Sequence, residues 1–333
     1  MVRFFANANY DFIGLRRRAY IATVAVLLVG LGWLALRGVN YSVEFTGGTL
    51  VQISTPAPID AARLRAALNA HGVTGAEIQS FGSQQEWTLK ARTAVEGSDA
   101  DNTETTAAAI RAALDQELGA DQYEVARVEA VGPKVGSELR QKAFLAIFLS
   151  FFAVLAYLAY RFEWRFGLAA VIATAHDLLT TIGFIAILRL EVSLVVVGAV
   201  LSMVGYSLND TIIIFDRVRE NLHKAKNTTF THVLNRSINE TLPRSILTHG
   251  TTLATLLALA IFGGEVIRPF ALVMFFGVLT GTFSSIFIAS PVLLAIEQRW
   301  PGAAVKGLSG PGKPAPGRPA PGGGTARKAQ PAV

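Results

Sequence analysis

Three charged side chains stand where so apolar a chain has no ordinary use for them. Asp177 lies in Thr174-Ala-His-Asp177, Asp210 in Gly205-Tyr-Ser-Leu-Asn-Asp210-Thr, and Arg244 in Leu-Pro-Arg244-Ser-Ile-Leu-Thr-His249-Gly, each within or at the edge of a long apolar run. Ionisable groups at such depth are costly, and they are found paired or serving an ion or proton path. A carboxyl in a low dielectric favours its neutral form, and an approaching guanidinium favours the charged one. A change in the separation of Asp210 and Arg244 would therefore couple protonation to shape. One charge crossing about 100 mV yields roughly 2.3 kcal/mol, an adequate source of energy. The other reading is a fixed Asp–Arg pair that only staples helices; both stand for Asp210, whereas Asp177 reads as a staple. His176 beside Asp177 makes two adjacent ligands, too few for a metal site. His176 and His249 read as satisfied interfacial histidines.

The elements that position these groups are membrane spans. Of the 333 residues, 51% are hydrophobic and 16% charged, against about 25% charged in a typical soluble domain. Six apolar stretches of spanning length occur, at about 20–36, 143–160, 166–188, 192–215, 242–262 and 270–296. On the third, Ala170, Thr174, Asp177 and Thr181 share a face. On the fourth, Gly198, Ser202, Gly205 and Asn209 recur at three- and four-residue steps, a small-residue stripe that permits close helix approach, with Asp210 beside it. On the fifth, Arg244, Thr248, Thr252 and Thr255 form a polar stripe. Gly277, Gly281 and Ser285 mark a second close-packing seam on the sixth. Asp177, Asn209, Thr248 and Thr252 are thus candidates for relay or helix packing beside Asp210 and Arg244.

Basic residues set the orientation. Arg3, Arg16, Arg17 and Arg18 precede the first span, Arg161 and Arg165 join the second and third, and Arg217, Arg219, Lys224, Lys226 and Arg236 join the fourth and fifth. All fall on one side if both termini are cytoplasmic, as the positive-inside rule requires. Arg37, Arg140 and Lys142 flank the long outer segment and run against that trend. The +6 net charge is explained by this topology, without nucleic acid. The first span reads as an uncleaved anchor, because Leu36-Arg37-Gly38 follows it rather than a small-residue cleavage site. Cysteine is absent, which excludes disulfides, thiol nucleophiles and thiolate metal sites.

The expected organisation is a cytoplasmic segment (1–18), the first helix (19–37), an outer domain (38–140), five helices (141–298) and a disordered cytoplasmic tail rich in Pro and Gly (299–333). In the outer segment, 50–53, 76–81, 86–91 and 123–130 read as strands. Asp60 caps one helix that Gly72 ends, and a second runs from Thr103 to a stop at Gly119. The alternation of the last strand changes phase near Ala126. The order β-α-β-β-α-β is that of the ferredoxin-like fold, which says nothing of function by itself.

Several motifs together carry a resemblance. Asn9-Tyr-Asp-Phe-Ile-Gly14, Phe45-Thr-Gly-Gly48, Val131-Gly-Pro-Lys-Val-Gly-Ser-Glu138, Gly205-Tyr-Ser-Leu-Asn-Asp-Thr-Ile-Ile-Ile-Phe-Asp-Arg-Val-Arg-Glu-Asn221, Thr241-Leu-Pro-Arg-Ser245 and Phe262-Gly-Gly264 occur in the order found in the SecF family, and the chain resembles that family from about Asn9 to Ile296. The resemblance implies a six-helix bundle of the RND superfamily with a periplasmic ferredoxin-like domain, multi-pass in the bacterial inner membrane. It implies pairing with SecD beside the SecYEG translocon, with YajC a further candidate, and use of the proton-motive force to assist export of unfolded preproteins. No cofactor beyond the proton gradient is implied. By motif position, Asp210 and Arg244 correspond to the family's proton-transport residues, and Glu44 stands where Asp is usual. The alternative is half of an RND-type transporter for lipids or small molecules, for which one outer domain of about 100 residues is small. A membrane-embedded hydrolase lacks its motifs, with no H-E-x-x-H and no G-x-S-x-G. A structural scaffold would be distinguished by replacement of Asp210. The charge asymmetry makes the orientation testable: a reporter fused after Gly82 is expected to report the outer side and one after Lys226 the cytoplasm. The opposite pair of results overturns the topology.

Overall fold

The computed structural model describes residues 8–81, 83–91 and 103–308. Arg3, the Gly82 turn and the Pro/Gly-rich run from Gly310 lie outside them. Among the described residues, six helical spans are long and apolar enough to cross a membrane. They are α1 (Arg16–Arg37), α5 (Pro133–Arg161), α6 (Trp164–Ile187), α7 (Leu194–Lys224) and α8 (Phe230–Phe262), with a sixth made of α9 (Gly264–Ser284), a π turn (Ser285–Ala289) and α10 (Ser290–Arg299). Within their spans α6, α7 and α9–α10 are more than half buried, while α1, α5 and α8 mostly face outward. The π turn precedes Pro291, whose ring and missing N–H disrupt the preceding turn of an ordinary helix. Ser290 Oγ donates across it to the Ser285 carbonyl, 3.0 Å away.

Close approach rests on residues without side chains. A Cβ on Gly277 would overlap Met203, and one on Gly281 would come within 2.8 Å of Ser207 Cβ. The seam expected on the sixth span is therefore closed against α7. A second crossing, unsuspected from the sequence, joins α1 to α6 where Gly30 meets Gly183 backbone to backbone.

Between α1 and α5 lies the small domain. It contains α2 (Val43–Thr46), β1 (Gly48–Ser54), α3 (Ala61–Ala70), β2 (Glu77–Phe81), β3 (Ser83–Ala91), α4 (Thr103–Leu118) and β4 (Glu124–Val131). The strands pair antiparallel in the order β2-β3-β1-β4, as the ferredoxin-like connectivity demands. Asp60 caps α3 by accepting from Ala62 N–H at 3.1 Å. Val51, Ile53 and Leu89 of the sheet bury against Leu64 and Leu68 of α3 and Ile110 and Leu114 of α4. Gln52 pairs with Arg127 and Ile53 with Val125, so Ala126 is the extra residue of a β-bulge. The change of phase in the sequence is that bulge.

The domain is tied to the bundle at two places. Gly47 has φ +73°, open to glycine, and a Cβ there would lie 2.6 Å from Pro133 Cα. The α2 turn thus packs on the start of α5, and α5 runs unbroken through the boundary at 140. The loop between α6 and α7 supplies the second tie. Val192 N–H donates to the Asn40 carbonyl at 2.7 Å, Ser42 N–H to the Val192 carbonyl at 3.0 Å, and Lys90 pairs with Glu191 at 2.9 Å. Glu44 Oε2 accepts from Leu194 N–H at 2.6 Å, a carboxylate at the first turn of α7. At the far end Asn235 and Asn239 of α8 hold the amino-terminal segment, through Ile13 N–H at 3.0 Å and the Tyr10 N–H and carbonyl at 2.9 Å each.

Because the sheet and its two helices have their own core, residues 44–131 expressed alone are expected to be soluble, with a mixed helix and strand circular dichroism spectrum. An all-helical spectrum would reject the assignment. His71 gives that fragment a pH signature. Its ring meets the Ala67 carbonyl at 3.0 Å and Gln116 Oε1 at 2.6 Å, and these bonds raise its pKa above the usual 6.5. A group bound more tightly to its proton when folded adds stability below its unfolded pKa and loses it as pH rises through the folded value. The thermal midpoint should therefore be higher below about pH 6 than above about pH 8, and His71→Asn should flatten this difference.

Candidate functional site

On α6, Ala170, Thr174, Asp177 and Thr181 are all buried, as their shared face predicts. Asp177 is completely buried and its two oxygens are fully engaged. Oδ1 meets His176 Nδ1 at 2.9 Å; Oδ2 accepts from Ser284 Oγ at 2.6 Å and also from Ser207 Oγ. One carboxyl thereby joins α6, α7 and α9. The absence of side chains at Gly277 and Gly281 lets α9 come near enough to α7 for both serines to converge on it. His176 is satisfied by its neighbour, and among the described residues no group of three or more His, Asp or Glu could hold a metal.

Asp210 is arranged differently. Its side chain is buried, and Oδ1 accepts from Ser245 Oγ of α8 at 2.6 Å, while the buried Oδ2 has no partner among the described residues. One turn along α8, His249 is also buried, and its Nδ1 has no partner among them either. The imidazole was expected to be satisfied, and it is not. Its ring lies edge-on to Tyr206, with centroids 5.5 Å apart, and the Tyr206 hydroxyl donates to Thr252 Oγ1 at 2.9 Å. Tyr206 and Asp210 are one turn apart on α7; Ser245, His249 and Thr252 share a face of α8. These five form a polar column between the two helices.

Arg244 is exposed, and no ion pair links it to Asp210 among the described residues. Thr248 is exposed and its carbonyl accepts from Thr251 and Thr252 hydroxyls at 2.9 Å each. Asn209, Ser202 and Gly205 are exposed as well, and among the described residues no neighbouring element lies within 4 Å of a Cβ built at Gly198, Gly205 or Gly250. The small-residue stripe of α7, with Thr248 and Thr255 of α8, thus makes an open face next to the buried column, whereas Thr252, expected on that stripe, belongs to the column.

Four participants went unrecognised in the sequence reading: Ser207, Ser284, Ser245 and Tyr206. Serine and tyrosine in spans are common enough to carry no signal alone. The usable one was spacing, since 245, 249 and 252 share a face turned about 100° from the stripe headed by Arg244.

The two aspartates should respond oppositely to substitution. Asp177→Ala strands the donors of Ser207 and Ser284 in the bundle, at about 1–3 kcal/mol for each buried group left unpaired. Its thermal midpoint in detergent should fall markedly, while Asp210→Asn should leave the midpoint near that of the parent. Equal stability of Asp177→Ala and the parent would remove Asp177 as the joint of the three helices.

Comparison with known proteins places this architecture. The model of the SecD/SecF protein export membrane protein C-terminal region matches residues 111–299, and that of the SecD/SecF GG motif matches residues 32–55. Protein translocase subunit SecF of Gemmatimonas aurantiaca is 55% identical over 305 residues, covering 90% of this chain and 91% of that one. The SecF subunit of Rickettsia felis is 35% identical, covering 87% and 93%. The crystal structure of SecDF from Thermus thermophilus, a translocon-associated membrane protein, superposes with a TM-score of 0.79 at 34% identity, covering 89% of this chain. A super-membrane-facing form of SecDF superposes at 0.62, also at 34% identity, covering 88%. This chain spans about two fifths of those solved chains, 40% and 39% respectively. The chain belongs to the SecD/SecF protein-export family, as a multi-pass membrane protein of the SecF type.

Proposed function

We propose that this chain is the SecF half of a proton-driven accessory to protein export, in which Asp210 takes up and releases the transported proton. The observation that carries the reading is the unpartnered, buried Oδ2 of Asp210 within a polar column shared by α7 and α8. A charged carboxylate there lacks a partner for one oxygen, and a neutral one can place its proton on that oxygen. Arg244, exposed and without an ion-pair partner among the described residues, favours the charged form when it approaches and releases it on withdrawal. His249, one turn beyond Ser245 on the same face of α8, has an Nδ1 that can receive or return the proton.

SecD is the partner. In the solved SecDF, one chain carries a region like this one as two fifths of its length, and the open face of Gly198, Ser202, Gly205 and Asn209 fits a second helical half at close range. With both termini cytoplasmic, the sheet domain lies on the periplasmic side. There it assists the emergence of unfolded preprotein from SecYEG. The unequal fit of the two SecDF forms to this chain accords with a cycle of shape change. Glu44 at the first turn of α7 links that helix to the sheet domain.

The test is gradient-driven export in vesicles carrying SecD and this chain. Asp210→Asn keeps shape and hydrogen bonding but cannot ionise, so assembly should survive. Stimulation by the gradient should be lost, while ATP-driven translocation continues. Arg244→Met should impair coupling at normal membrane levels. Full gradient-dependent export by assembled Asp210→Asn would leave Asp210 a purely structural residue.

A further inference from the structure

Arg37 and Arg140 oppose the charge asymmetry of the chain, and the structure gives them a common setting with Arg189. Where α1, α5, α6 and α7 meet on the sheet-domain side, they enclose an apolar groove of about 310 Å³. Leu34, Phe144, Ile182 and Val197 contribute to its wall. Two helices each place an arginine one turn beyond a wall residue, toward the sheet domain: Arg37 follows Leu34 at i+3 on α1, and Arg140 precedes Phe144 by four on α5. Arg189, in the turn that follows α6, lines the cavity itself. All three are exposed, and among the described residues none is in an ion pair.

Above the groove is a second cavity, of about 400 Å³ and largely polar, which contains Lys90 and Glu77. The two share Val39, Asn40, Tyr41 and Arg189, so they form one path from apolar to polar. Arg189 stands at the join. Its φ is +53°, and its Nη1 donates to the carbonyls of Arg37 at 3.0 Å and Gly38 at 3.3 Å. The remaining N–H groups of its guanidinium have no partner among the described residues. Arg37 itself lies over the ring of Trp33, 5.6 Å from its centroid, an amphipathic pair of the kind found at a membrane interface.

We infer that this groove binds an anionic glycerophospholipid from the leaflet on the sheet-domain side, one acyl chain in the apolar cavity and the phosphate among Arg37, Arg140 and Arg189. The shape and the charge both argue for it. A chain of lipid fills an apolar wall without polar atoms, and a planar guanidinium matches a phosphate in a way that a lysine does not. Net positive charge at the rim favours a headgroup without a compensating ammonium. The inference is independent of the proton relay, because no residue of the α7–α8 column lines either cavity.

Native mass spectrometry of the full-length, delipidated chain in mild detergent tests it, with phosphatidylglycerol, phosphatidylcholine and diacylglycerol as probes. One phosphatidylglycerol per chain should be retained in preference to phosphatidylcholine, and diacylglycerol should be retained least. Arg140→Gln, at an exposed residue without an ion-pair partner, and Arg189→Gln should each lower phosphatidylglycerol retention about fivefold, the worth of one basic residue against an anionic lipid surface. Ile182→Trp fills the groove while leaving all three arginines in place, and should abolish the bound lipid. Equal retention of the three probes, or retention of phosphatidylglycerol unchanged in Arg140→Gln and Ile182→Trp, would overturn the site.

Discussion

Hydrocarbon offers no water to a polar group, so a carboxyl buried in this bundle, which no carbonyl of its own helix can satisfy, depends on donors from its neighbours. The centre of the molecule is organised by that constraint at Asp177. Its oxygens draw in His176 from the same helix, Ser207 from α7 and Ser284 from α9. The serines can reach only because Gly277 and Gly281 let two helices meet without intervening side chains. Replacing either glycine with a larger residue would push α9 outward and leave the carboxyl short of a donor. Packing and polar satisfaction are here one requirement, and α6, α7 and α9 behave as a single body because of it.

Asp210 meets the same constraint only halfway. Ser245 satisfies one oxygen, while the other faces no donor, and the imidazole one turn along α8 is left open at Nδ1. Two unsatisfied groups in one polar column within a nonpolar setting are expensive, and such expense in a native protein calls for a role. Their placement suits a proton better than a fixed structural bond, since both are acceptors when unprotonated and either can become a donor.

Much of this was legible beforehand, and the reasons for the gaps are physical. Spans are written in long apolar runs, and the sheet domain in its strand alternation, the Asp60 cap and the glycine stops. Even the bulge at Ala126 showed as a break in phase. The seam on the sixth span was visible because glycine and serine at four-residue steps have few other uses. The partnership of Asp210 was not visible. Arg244 is the charge that attracts attention, yet its side chain lies on the outer face of α8, and the carboxyl takes its hydrogen bond from the next residue, Ser245. A difference of about 100° around a helix separates the two, and the charge of Arg244 drew the reading to its own face rather than to that of Ser245. The tie of Glu44 to Leu194 N–H was equally hidden, since 150 residues separate its partners.

These arrangements decide which parts can move. Asp177 joins α6, α7 and α9 through hydrogen bonds with three side chains, so a displacement within that group would break several buried bonds together. Between α7 and α8 the polar column is held by fewer: Ser245 to Asp210 and Tyr206 to Thr252. A bond between neutral groups contributes about 0.5–1.5 kcal/mol net, and one to a charged group about 1.5–3. Protonating Asp210 on the proposed relay converts its bond from the second kind toward the first. The difference is of the same order as the roughly 2.3 kcal/mol that one proton brings across 100 mV. Motion of α8 against the stapled body is therefore within reach of a single proton, whereas rupture of the Asp177 joint is not. Glu44 fastens the first turn of α7 to the segment leading into the sheet, so on the proposed relay the stapled body is also the one that carries the sheet domain.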